Sequence, residues 1–260
     1  MKLLLTATNA LNKWLNTDLP RLPLEEGKQA GVNTLMSDVK TFSWQVHIID
    51  NQHLSYQKTI IACEANSRFL FFIPVTTRSS QQELTEALQR NWQLTLAATL
   101  ENYQLMPNSD IAYLLSVLSQ ISFTPEWVKN NDLSINGHIC DAALWISQTL
   151  EENELDSLTP ELALELTCYL NTQTKRVTNK QTRHKEKFIP IEQLLIYCKE
   201  IISSNSTPAT DSKTYSELDA NTDAKTSADS GVDTSDDTDA KTSADIDKKS
   251  NVIYMSEYKH

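Results

Sequence analysis

The stretch FSWQVHI, Phe42 to Ile48, decides how the rest of the chain is read. Phe42, Trp44, Val46 and Ile48 fall on one side of an extended backbone, and Ser43, Gln45 and His47 on the other. Strict alternation with a period of two is what a half-buried antiparallel strand needs. Asp50, Asn51 and Gln52 supply turn chemistry, and KTIIACEA (58–65) continues as the next strand. Asn66 and Ser67 turn again into RFLFFIPV (68–75), whose unbroken apolar run predicts a central strand buried on both faces. Two tight connections in succession imply an antiparallel meander.

Upstream, KLLLTAT reads as a further strand, with Asn9 capping a short helix that buries Leu11, Trp14 and Leu15. The connection from Thr17 to Asp38 holds Pro20, Pro23, Gly27 and Gly31; loops this long are often functional or disordered. Downstream the period changes. Ser80 opens a helix with Leu84, Leu88, Trp92, Leu96 and Leu100 at every fourth position. Ser109 is expected to cap DIAYLLSVLSQI, which is apolar nearly all round and therefore expected to be buried. A third helix is expected from about Gly137 to Leu150. A fourth starts at Thr159 with Pro160 in its first position, and a fifth follows Pro190, with Ile191, Leu194, Leu195, Cys198, Ile201 and Ile202 on one face. Strands lead and helices follow. The expected class is α+β over residues 1–202: a small antiparallel β-meander within residues 1–78, then about five helices within residues 79–202.

Residues 203–250 have another character. They hold eleven acidic residues against five lysines, a balance of −6 in a chain of −11. TDAKTSAD occurs at 222–229 and again at 238–245. Two copies without an apolar face cannot build a repeat architecture, so this is read as a disordered, low-complexity acidic tail. Residues 251–260, NVIYMSEYKH, regain apolar character; they could dock on a partner or on the domain, or reflect chance at a chain end.

Residues 1–202 carry −5, which argues against a protein devoted to nucleic acid. Cys63, Cys140, Cys168 and Cys198 form no CxxC pair and read as reduced, buried thiols. The N-terminus lacks the apolar core of a signal peptide, and no stretch approaches the ~18 apolar residues of a membrane span. The expectation is a cytoplasmic protein without membrane contact.

SINGHICDAALW, Ser134 to Trp145, places His138, Cys140 and Asp141 within four residues. On a helix, positions two apart face nearly opposite ways, so His138 and Cys140 cannot form a thiolate–imidazole pair. Cysteine among Ala142, Ala143, Leu144 and Ile146 behaves as a small hydrophobe. Gly137 is one of four glycines in the chain. Next to Asn136 it suggests positive φ: a tight turn into the helix, or a backbone amide offered to a ligand at a helix N-terminus. No GxxxxGK, GxGxxG, GxSxG or HxxxH occurs, so no catalytic residue, metal ligand or cofactor is expected.

The chain resembles an uncharacterised bacterial family catalogued as domain of unknown function 6933. The likeness runs over roughly residues 1–150: the strand–helix KLLLTATNALNKWL, the strand pair WQVHIID and TIIACEANSRFLFFIPV, a long helix, and a signature segment entering another helix. Ser134, Gly137 and Asp141 match that segment, Leu133 stands where the family has arginine, and His138 and Cys140 where it tends to have Ser and Asn. The resemblance implies a fold and no activity.

One electrostatic feature could name a partner. In KRVTNKQTRHKEKF, read as a loop between the last two helices, Lys175, Arg176, Lys180, Arg183, Lys185 and Lys187 oppose only Glu186. Such a segment could contact phosphates, or pair with acidic surface or the acidic tail. The leading expectation is a non-enzymatic interaction module that binds another protein. A nucleic-acid-associated protein using residues 175–187 is the alternative, and an enzyme with an unfamiliar site near Gly137 the third.

Overall fold

The computed structural model describes residues 1–23, 33–51, 57–178 and 185–205; the expectations for the acidic tail and for residues 251–260 lie outside them. Lys2–Ala7 forms β1 and Asn9–Leu15 α1. Three strands follow, β2 (Thr41–Asp50), β3 (Lys58–Glu64) and β4 (Leu70–Val75). Then come α2 (Gln81–Asn102), α3 (Asn108–Ser119), β5 (Thr124–Lys129), α4 (Leu133–Glu152) and α5 (Pro160–Thr172). A hairpin of β6 (Lys175–Thr178) and β7 (Lys185–Phe188) leads into α6 (Pro190–Asn205).

The described residues form a mixed α/β fold with six helices around a five-stranded sheet ordered β4-β3-β2-β1-β5. β2, β3 and β4 pair antiparallel, but β1 runs parallel to both β2 and β5. The sheet is therefore mixed, where an antiparallel one was expected, and the division into a leading sheet and a following set of helices fails at β5. That strand escapes the sequence pattern because Pro125 and Glu126 interrupt it. Pro125 is tolerated because β5 is an edge strand, where a missing backbone donor costs no ladder bond, and Glu126 because its side chain is exposed and pairs with Lys2 at 2.8 Å.

β4 also lies at an edge, although its apolar run suggested a central strand. Asn171 of α5 covers that edge: its Oδ1 accepts from Leu70 N at 2.9 Å and its Nδ2 donates to Leu70 O at 2.8 Å. An amide side chain here takes the place of a neighbouring strand.

Helices cover both faces of the sheet, so β2 is not half-buried. Leu5, Phe42, Trp44, Val46, Ile60 and Phe71 pack on one side against α1, α2, α3 and α6. Phe42 sits in an aromatic cluster, 5.1 Å from Trp44, 5.4 Å from Trp92 and 5.1 Å from Tyr197 between ring centroids. On the other side Leu4, Ile61, Cys63, Phe72 and Val128 pack against α4 and α5. Ser43 and Gln45 point there and are fully buried, so each needs a partner. Ser43 Oγ donates to Met36 O at 2.6 Å, and Gln45 Oε1 accepts from Asp132 N at 2.7 Å.

The caps differ in part from expectation. Ser80 closes a full capping box with Glu83, and Thr159 caps α5 ahead of Pro160. α1 is preceded by Thr8 and α3 by Pro107, neither making a side-chain cap bond. Thr8 Oγ1 instead meets His47 Nδ1 at 2.8 Å. α3 buries only Ile111, Leu114 and Leu118 and leaves Tyr113 71% exposed, because it packs at the periphery. No described helix is long and apolar enough to cross a membrane.

Candidate functional site

Two regions singled out by sequence meet in the structure: the start of α4 and the basic segment after α5. Asp132 fixes the first. Buried and extended, it accepts from Ser134 N at 2.8 Å and Ile135 N at 3.3 Å with Oδ1, and from Leu35 N at 2.8 Å with Oδ2. The helix consequently begins at Leu133, four residues before Gly137. The expected turn at Asn136-Gly137 does not form. Gly137 is helical, its φ is not positive, and a Cβ built on it would meet no atom within 4 Å. The Asp132 cap and the buried row Ile135, Ile139, Ala142, Ile146 and Leu150 outweigh the local flexibility of Asn-Gly.

Spacings of three and four place Ser134, Gly137, His138 and Asp141 on one stripe of α4. Cys140, expected to be buried, is exposed away from it because the buried face of α4 is Ile135, Ile139, Ala142 and Ile146; its sulfur lies 3.7 Å from Asn136 Nδ2. Against the stripe comes a residue that sequence reasoning passed over, Arg68. It ends the β3–β4 turn in a left-handed conformation (φ 59°), is only 7% exposed, and donates from Nη2 to Ser134 Oγ at 3.1 Å. Its Nε and Nη1 are enclosed and have no acceptor. The signal was present as a single arginine opening an otherwise apolar strand, but burial and backbone conformation are tertiary facts.

His138 Nδ1 is likewise enclosed without a partner. Burial, reinforced by the positive charges of Arg68 and Lys175, pushes its pKa down from 6.5 to about 4, so the ring is neutral at pH 7. Lys175 is pulled below the ordinary lysine range by burial, against the opposing charges of Asp141 and Cys63. Beneath them burial pushes the Cys63 thiol up to about 12, which makes it no nucleophile at neutral pH. The cluster can hold a negative charge; it contains no activated nucleophile.

The basic segment is not a simple loop. β6 and β7 pair antiparallel with Arg176 opposite Lys187, Val177 opposite Glu186, Thr178 opposite Lys185 and Lys175 opposite Phe188. Directly opposed residues share a face. Lys175 therefore lies on the inner face, towards the α4 stripe, while Arg176 and Lys187 are exposed together on the outer face. Lys180 and Arg183 lie outside the described residues. Of the residues chosen from sequence, Ser134, Asp141 and Lys175 converge; Arg176 and Lys187 form a separate outer surface.

Two concavities lie elsewhere. One of about 270 Å³ borders Leu4, Leu35 and Ser43, and one of about 540 Å³ runs between α2 and α3 over Trp92, Leu115 and Phe123; neither is lined by Arg68 or His138. Among the described residues no group of three His, Cys, Asp or Glu side chains could hold a metal ion. Comparison with protein-family models, with curated proteins and with solved structures finds no match to this chain.

Proposed function

We propose that this chain is a non-enzymatic interaction module that docks an acidic surface of another protein on the outer face of the β6–β7 hairpin. One observation carries the reading: Arg176 stands directly opposite Lys187, both exposed, with no ion pair to a described residue. Like charges opposed across a hairpin are destabilising, and an anionic partner removes that cost. A protein partner suits the charge balance better than nucleic acid. Residues 1–202 without the basic segment sum to −10, so a long polyanion would be repelled just beyond the hairpin.

Four free cysteines fit a reducing compartment and support placing the module in the cytoplasm. Kinship with domain of unknown function 6933 belongs to the same proposal. It rests on the opening KLLLTATNALNKWL and on Ser134, Gly137 and Asp141.

Native mass spectrometry of the full chain, purified gently from its own cells, tests the reading against the Arg176→Glu, Lys187→Glu double variant. The expected result is a stoichiometric protein adduct on the wild type, weakened by salt and lost from the variant. A nucleic-acid adduct, or a protein adduct that survives charge reversal, sinks it.

A further inference from the structure

We infer that the α4 stripe Ser134–Gly137–His138, closed by Arg68 and Lys175, is a binding site for a small divalent oxyanion: phosphate or a phosphate monoester. The first observation is Arg68. A guanidinium taken out of water is costly unless its donors are met, yet this one spends one nitrogen on a neutral hydroxyl and leaves Nε and Nη1 without acceptors. The second is the imidazole beside it, whose Nδ1 is also enclosed and unpartnered. The third is Gly137. Glycine inside a helix costs about 1 kcal/mol relative to alanine, and here neither positive φ nor crowding calls for it. What it leaves is space open to solvent on the stripe that carries Ser134 and His138.

The charges around the cluster select the ligand. Arg68 and Lys175 are the cations, and Asp141, exposed on the same stripe, opposes them. Glu64 and Asp132 also act on the buried Cys63. Their oxygens are already engaged: Glu64 by Ser37, Asn66 and Ser67, and Asp132 by the backbone of Leu35, Ser134 and Ile135. A divalent oxyanion meets the two cations and accepts from the guanidinium fork, Ser134 and a protonated His138, whereas a monovalent carboxylate leaves donors unmet. Nε and Nη1 are enclosed, so binding requires the guanidinium to exchange its Ser134 contact for contacts to the anion. The site is independent of the outer hairpin face.

Titration of the full chain with inorganic phosphate at pH 7 and low salt, followed by calorimetry and by the His138 imidazole resonance, tests this. Saturable one-to-one binding is expected, with His138 titrating above its phosphate-free value of about 4. Arg68→Met is expected to weaken binding at least about tenfold through loss of a charge-assisted fork. Gly137→Leu, which keeps a good helix former at an exposed position, should block the same space. The Arg176→Glu, Lys187→Glu variant is expected to bind phosphate within about twofold of wild type, well under the tenfold that 1.4 kcal/mol represents. No saturable binding, binding unchanged by Arg68→Met and Gly137→Leu, or binding lost only on hairpin reversal overturns the assignment. No protein adduct on the wild type, or an adduct that survives hairpin reversal, with phosphate binding intact would reject the docking proposal alone.

Discussion

Glu64 and Arg68 stand at the two ends of one turn, four residues apart and both buried, and the protein treats them differently. Every oxygen of Glu64 is met: Oε1 by the Ser37 hydroxyl, Oε2 by Asn66 N at 3.0 Å, Ser67 N at 2.6 Å and Ser67 Oγ at 2.6 Å. Those bonds shape the turn and fasten it to the segment before β2. The Arg68 side chain has one bond and two unmatched donor nitrogens, on a left-handed backbone that costs a non-glycine residue roughly 1 kcal/mol or more. A buried charge that is fully met reads as structure. One left half-met and strained reads as a group held ready for something else.

That contrast can be broken at several points. Glu64→Gln puts an amide donor against donors of the turn and is expected to cost about 3 kcal/mol in urea unfolding; a loss below about 1 kcal/mol would mean the turn does not depend on the carboxylate. Asn171→Ala strips both bonds from the β4 edge beside the turn, with an expected loss of about 2 kcal/mol. It should also raise hydrogen exchange at Leu70 before the rest of the sheet.

His138 gives the comparison a pH axis. Its folded pKa is depressed from 6.5 to about 4, so between those values the unfolded chain binds a proton that the folded chain refuses. Stability therefore falls as pH drops through that window and is level above it. His138→Gln should flatten this stretch of the profile, and an unchanged slope would place the titrating group elsewhere. The smallest effect belongs to Gly137. Gly137→Ala is expected to stabilise by about 1 kcal/mol, since nothing in the protein needs a glycine there; destabilisation would show a packing demand that the open space around it denies.

The sequence made some of this legible. The period-two run from Phe42 to Ile48 is β2, and the caps at Ser80 and Thr159 open the helices they announce. Local chemistry settles such features. Where tertiary contact decides, the pattern misleads. Ser43 and Gln45 read as a wet face, but α4 and the segment before β2 supply their bonds. RFLFFIPV reads as a central strand, but a side-chain amide covers its edge. Asn136-Gly137 reads as a turn, but a cap four residues earlier carries the helix through it. At the candidate site, Ser134, Asp141 and Lys175 were visible as residues; their meeting was not. It depends on Arg68, whose position follows from a turn built by Glu64.

The central claim is that Arg68 is not kept for stability, and urea unfolding of Arg68→Met at pH 7 tests it most directly. Methionine retains the apolar stem and the same backbone demand while removing the unmet donors. The variant is expected to lie within about 1 kcal/mol of the wild type or above it, as replacements of imperfectly met buried charges do. A loss greater than about 2 kcal/mol, the range for breaking a buried hydrogen-bonded group, would make Arg68 a structural residue and contradict the account.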